Sequence, residues 1–222
     1  MSRAKLDDAG LGRRSGEART QRIIGLAAMA ALSTAAPAWA QAERKCDISA
    51  YTIDEDPKGI NIRATPSNQS KVVGVIRTVK DADIGVAIAA ENNGWFRLKS
   101  YETYATGKTT RVNGWVHGTR LGSGLMIMQG AKASERLREE PSDQSKTLLL
   151  LTWDPGENAE LQRLTAELPM GRSEVIDFAK IKNAATAVPL ACQNGWVKIR
   201  VHKYEGWVPQ GRLCGNPVTT CN

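Results

Sequence analysis

Three short blocks occur in the same order twice along this 222-residue chain, and the repetition limits the fold more than any other feature. Ile62-Arg63-Ala64-Thr65-Pro66-Ser67-Asn68-Gln69-Ser70-Lys71 matches Leu137-Arg138-Glu139-Glu140-Pro141-Ser142-Asp143-Gln144-Ser145-Lys146. Asn93-Gly94-Trp95-Phe96-Arg97-Leu98 matches Asn194-Gly195-Trp196-Val197-Lys198-Ile199. Asn113-Gly114-Trp115-Val116-His117-Gly118-Thr119-Arg120-Leu121 matches Glu205-Gly206-Trp207-Val208-Pro209-Gln210-Gly211-Arg212-Leu213.

Each block has a physical reading. The first is a short strand running into a Pro-Ser-Asx turn, because Pro presets φ and Asn or Asp caps a turn. The second is a tight turn into a strand: Asn-Gly tolerates the positive φ that such a turn needs. Apolar residues then alternate with Arg or Lys, giving one buried and one wet face. The third is a further turn and strand with a short closing segment that ends in Leu. Strands this short at this spacing predict a small antiparallel barrel, made twice.

Together the blocks resemble the bacterial SH3-like (SH3b) domain family, through Ile62-Arg63-x-x-Pro-Ser, Asn-Gly-Trp-Phe-Arg-Leu and Gly-Trp-Val-His-x-x-x-Leu, with a second set from Leu137 to Leu213. The resemblance implies an all-β chain of two tandem small SH3-like β-barrels. They span 45–124 and 125–216, followed by a tail at 217–222. It also implies export and, frequently, binding of cell-wall peptides; it does not imply catalysis.

The copies differ in two places. Trp95 and Trp115 are 20 positions apart, whereas Trp196 and Trp207 are 11 apart, so the hairpin between the Trp strands is expected to be longer in the first copy. The second copy carries an insertion at about 152–183, expected to be helical. Asp154 suits a cap, Pro155 the first helical position and Glu157 a capping box, with Leu161, Leu164 and Leu168 on one face. Those leucines either cover one end of the second barrel or, with Trp153, present a surface to a partner. Residues 173–182 are ambiguous between strand and helix.

The amino terminus reads as an export signal over residues 1–40: a basic stretch, an apolar run from Ile23 to Ala36, and Ala38-Trp39-Ala40 as a cleavage site. The run is shorter than the roughly 20 residues a membrane span needs, so no stable span is expected after cleavage. The basic stretch is longer than usual, which is consistent with translation starting downstream. The expected location is the periplasm or the outside of the cell. Cys46, Cys192, Cys214 and Cys221 are an even set, read as two disulfides with three possible pairings. Beyond residue 40 the net charge falls from +7 to +4, too little to point to nucleic acid.

No catalytic arrangement, cofactor or metal site is expected. His117 and His202 lie in different copies, and neither stands beside a recognisable nucleophile. Asp54-Glu55-Asp56 lacks the spaced ligands of a calcium loop and reads as a solvated turn. A ligand must then use an outer groove, since a barrel this small is filled by its own side chains. Trp95, Trp115, Trp196 and Trp207 are candidates, though strand tryptophans also serve as core. Tyr51, Tyr101, Tyr104 and Tyr204 are expected on exposed loops. Arg63 and Arg138 either line the groove or pair with an acid. The leading expectation is a non-catalytic protein that binds murein peptide or glycan. The alternative is an adaptor for an envelope protein that uses the insertion.

Overall fold

Period-two alternation marks parts of several strands. Phe96 and Leu98 are fully buried while Lys99, next along the same strand, is exposed, and Val197, Ile199 and Val201 are buried while Arg200 is exposed. The computed structural model describes residues 42–77, 84–128, 133–154, 163–176 and 186–215. The export signal, the tail, Cys221, Pro155, Glu157 and Leu161 lie outside the described residues. The chain divides into two units, Met1–Pro37 and Ala38–Asn222, and every described residue belongs to the second.

The fold is all-β, formed of curled antiparallel sheets. The first contains β1 (Arg44–Lys45), β2 (Ser49–Thr52), β3 (Ile60–Arg63), β4 (Val72–Ile76), β5 (Ile84–Asn92), β6 (Trp95–Thr103), β7 (Lys108–His117) and β8 (Leu121–Gly122). Its order is β4-β3-β7-β6-β5-β2-β8, with β1 on β5. After β9 (Gly124–Leu125) come β10 (Ala133–Arg138), β11 (Thr147–Asp154), β12 (Arg163–Leu168), β13 (Arg172–Ile176), β14 (Ala187–Gln193), β15 (Trp196–Val201), β16 (Tyr204–Pro209) and β17 (Leu213–Cys214). The second sheet runs β13-β12-β11-β10-β16-β15-β14, and β17 pairs with β9.

The repeated blocks adopt the same local geometry. Ile62 pairs with Gly74 and Leu137 with Leu149, and each register slips at the following arginine. Arg63 then pairs with Trp115, as Arg138 does with Trp207. Both Asn-Gly turns have positive φ, 51° and 79° at Asn93 and Gly94, 49° and 82° at Asn194 and Gly195. The glycine before each second tryptophan permits a close strand crossing. A Cβ on Gly114 would sit 2.4 Å from Ile62 Cγ2, and one on Gly206 2.6 Å from Leu137 Cβ. The hairpin between the Trp strands is long in the first copy (β6–β7) and short in the second (β15–β16).

The insertion is where expectation and structure part. Residues 163–168 form strand β12, not the end of a helix, and 172–176 form strand β13. Leu164 and Ala166 point inward at period two, and β12 pairs along β11 from Leu150 to Asp154. An open strand edge satisfies the backbone of this segment better than an isolated short helix would. Trp153, which one of the two readings placed on a partner-facing surface, is 5% exposed.

The two copies share one continuous apolar core, running from Cys46 and Ile48 through Phe96 and Leu98 to Val197 and Val208. Cys46 is bonded to Cys192. Cys214 is also disulfide-bonded. Ser123 exchanges two backbone hydrogen bonds with Ala187, both 2.8 Å, and its hydroxyl donates to the Ser49 carbonyl at 3.0 Å. Glu91 is a fully buried carboxylate that accepts from Arg44 Nε (2.9 Å), Gly94 N (2.8 Å) and Cys192 N (3.3 Å). Three donors offset the cost of burying that charge.

Candidate ligand-binding cleft

The end of β7, the start of β6 and the turn before β3 enclose a cleft of about 130 Å³. Trp95 and Trp115 belong with Ala90 to a small buried cluster of their own, apart from the main core. They are 8% and 7% exposed, so each offers little of its ring to solvent. The Trp95 ring meets His117 edge-on, with centroids 5.2 Å apart and planes at 81°.

His117 is fixed by the 3-10 turn that follows β7. Its Nδ1 accepts from the Thr119 backbone N–H at 3.4 Å and lies 2.8 Å from Thr119 Oγ1. Nδ1 is therefore an acceptor and Nε2 carries the proton of the neutral ring. Burial, then the nearby Arg120 guanidinium, lowers the His117 pKa below its ordinary 6.5. The ring is neutral at pH 7.

Charges of both signs surround the two rings. Arg120 Nη1 donates to Asp54 Oδ2 at 2.7 Å. Asp54 Oδ1 accepts from Asp56 N (3.1 Å), and Asp56 Oδ1 from Lys58 N (2.9 Å). The acidic cluster is thus a pair of nested Asx turns, with one carboxylate committed to an arginine. No group of three His, Cys, Asp or Glu side chains suited to a metal occurs among the described residues.

Arg63 lines the cleft and also binds the Pro-Ser turn beside it. Its Nη1 donates to the Ser70 carbonyl at 2.7 Å, and Arg138 Nη1 donates to the Ser145 carbonyl at 2.8 Å. Both arginines brace the Pro-Ser turn of their own copy. Ser70 Oγ accepts from Thr65 N and Ser145 Oγ from Glu140 N, each at 2.8 Å, so the two loops are built alike.

The second copy does not duplicate the cleft's chemistry. Trp196 is half-buried and Trp207 is 9% exposed, but Pro209 stands where His117 does. The tyrosines are half-buried instead of lying on open loops, and three belong to strands. The Tyr51 hydroxyl meets Thr186 Oγ1 at 3.1 Å, and Tyr104 donates to the Gly215 carbonyl at 3.1 Å. Tyr101 packs against the core. Tyr204 donates to Glu174 on β13; burial and then that bond raise its pKa. His202, beside it, lies 3.9 Å from the same carboxylate.

A larger cavity of about 630 Å³ lies at the seam between the copies, lined by Arg44, Lys45, Asp47, Gln193, Asn194 and Gln210. Sequence reasoning missed it, as it missed Glu91 and the Asp54–Arg120 pair. The only available signal was the cysteines, since pairing Cys46 with Cys192 would have brought residues 44–47 beside 193–195. No family model matches this chain, and neither does any curated protein or solved structure.

Proposed function

We propose that this chain is an exported, non-catalytic binding protein of two tandem bacterial SH3-like barrels, with cell-wall peptide or glycan as ligand. The doubled turns, bulges and strand pairings support the tandem-barrel reading. The disulfide between Cys46 and Cys192 suits an oxidising compartment. The observation that carries the ligand reading is the cleft. It sets Trp95 and His117 beside the carboxylates of Asp54 and Asp56 and the guanidinium groups of Arg63 and Arg120. A short peptide with amino and carboxylate groups meets each of those partners.

The test is co-sedimentation with purified peptidoglycan at low and high salt. Salt-resistant binding, weakened about tenfold or more by Trp95→Phe or His117→Asn at unchanged thermal stability, supports the reading. Absent binding, or binding abolished by salt, sinks it. A second reading, an adaptor for an envelope protein, draws on the insertion, where Met170 is 89% and Val175 54% exposed. Its strands β12 and β13 would then be the specific element.

A further inference from the structure

β4 and β11 are equivalent strands with different neighbours. Ile60, Asn61 and Ile62 pair with Ile76, Val75 and Gly74, and Glu135, Arg136 and Leu137 pair in the same manner with Leu151, Leu150 and Leu149. The second copy covers the far edge of β11 with β12, in antiparallel register from Leu150↔Glu167 to Asp154↔Arg163. In the first copy β4 ends its sheet among the described residues. Val72, Val73 and Val75 are 40%, 52% and 38% exposed, whereas Leu148 and Leu150, which match Val73 and Val75, are half-buried.

We infer that the β4 edge is a strand-addition site for an extended, acid-flanked apolar segment of a partner protein. The chain itself shows the kind of cover this edge takes, because β12 pairs with Leu150 and Leu151, which match Val75 and Ile76. Charge then selects the occupant. Lys71 and Arg77 bracket β4, both exposed and both without an ion-pair partner among the described residues. Antiparallel pairing of two copies of β4 about Gly74 would set Lys71 of one against Arg77 of the other, and like charges directly opposed are destabilising. Lysine at a strand edge, with a bulge such as that at Val72 and Val73, also repels indiscriminate partners. An acidic residue at each end of the incoming strand turns both repulsions into attractions. Apolar side chains opposite Val73 and Val75 remove those valines from water, and the backbone supplies the rest of the affinity. This surface is separate from the Trp95 cleft and does not depend on the ligand proposed there.

The experiment uses the full chain and two synthetic peptides, Glu-Thr-Val-Thr-Val-Thr-Glu and the same sequence with lysine in place of both glutamates. Affinity is read by fluorescence anisotropy and location by amide hydrogen exchange. The glutamate peptide is expected to bind about tenfold tighter than the lysine peptide, since two cross-strand charge pairs change sign. It should slow exchange across Val72–Ile76. The double variant Lys71→Glu, Arg77→Glu should invert the preference, and Val75→Lys should weaken both peptides. Absence of binding to either peptide would mean that the charges merely blunt the edge, and would overturn the proposal. So would protection located at the Trp95 cleft, a preference that survives charge reversal, or a dimer of the chain that Val75→Lys dissolves.

Discussion

Cys46 and Cys192 are bonded across 146 positions of sequence, with Cα atoms 5.5 Å apart, and the bond joins the segment after β1 to strand β14 of the other copy. Closing so long a loop removes much of the unfolded chain's freedom. By the loop-entropy estimate, Cys46→Ser combined with Cys192→Ser should cost up to about 5 kcal/mol. Urea unfolding of the double variant checks this. A loss below about 1 kcal/mol would mean that the sheet contacts alone hold the copies together.

Glu91 provides a second, non-covalent tie beside the first. Glu91→Ala removes the acceptor from Arg44 Nε, Gly94 N and Cys192 N at once and leaves these donors near an apolar seam. A loss of about 3 kcal/mol is expected, with Glu91→Gln milder because the amide oxygen still accepts. Equal losses for the two variants would mean that the negative charge, not the acceptor geometry, matters.

Gly114 and Gly206 lie where strands cross too closely for a side chain. Gly114→Ala and Gly206→Ala should each destabilise by about 1–3 kcal/mol through forced displacement of Ile62 or Leu137. Gly211, with nothing within 4 Å of a built Cβ, is the matched control, and Gly211→Ala should be close to neutral. Thermal melts of the three variants decide it.

His117 makes stability depend on pH with a definite sign. Burial depresses its folded pKa below the ordinary 6.5, so the unfolded chain binds the proton more readily. Its contribution is complete above pH 6.5 and is lost as pH falls from 6.5 toward the folded pKa. Unfolding free energy measured from pH 8 to pH 5 should decline over that interval, and His117→Asn should flatten the decline. An unaltered slope in the variant would move its origin to other groups.

Much of this architecture was legible because it is written in local terms. The Asn93-Gly94 and Asn194-Gly195 turns, and the alternation after Trp95 and Trp196, need only their own neighbours to be read. Leu164 and Leu168 were misleading because their spacing suits a helix, while Leu164, Ala166 and Leu168 equally suit a strand. The edge of β11, distant in sequence until β12 docks on it, decides between the two. The tyrosines were misjudged for a similar reason. Thr186 and Gly215, which engage Tyr51 and Tyr104, belong to the other copy. For the cleft, Trp95 and Arg63 were visible as repeated residues. Its charged rim came from the unrepeated turn at Asp54, which no second copy highlighted.

Ser123 bonds one copy through its backbone and the other through its hydroxyl, and β9, just beyond it, closes on β17. A gene boundary drawn between the repeats would therefore pass through shared strands instead of a spacer. Neither half can be transplanted, lost or exchanged as a cassette without breaking pairing in the other. The two repeated halves therefore stand or fall as a single part.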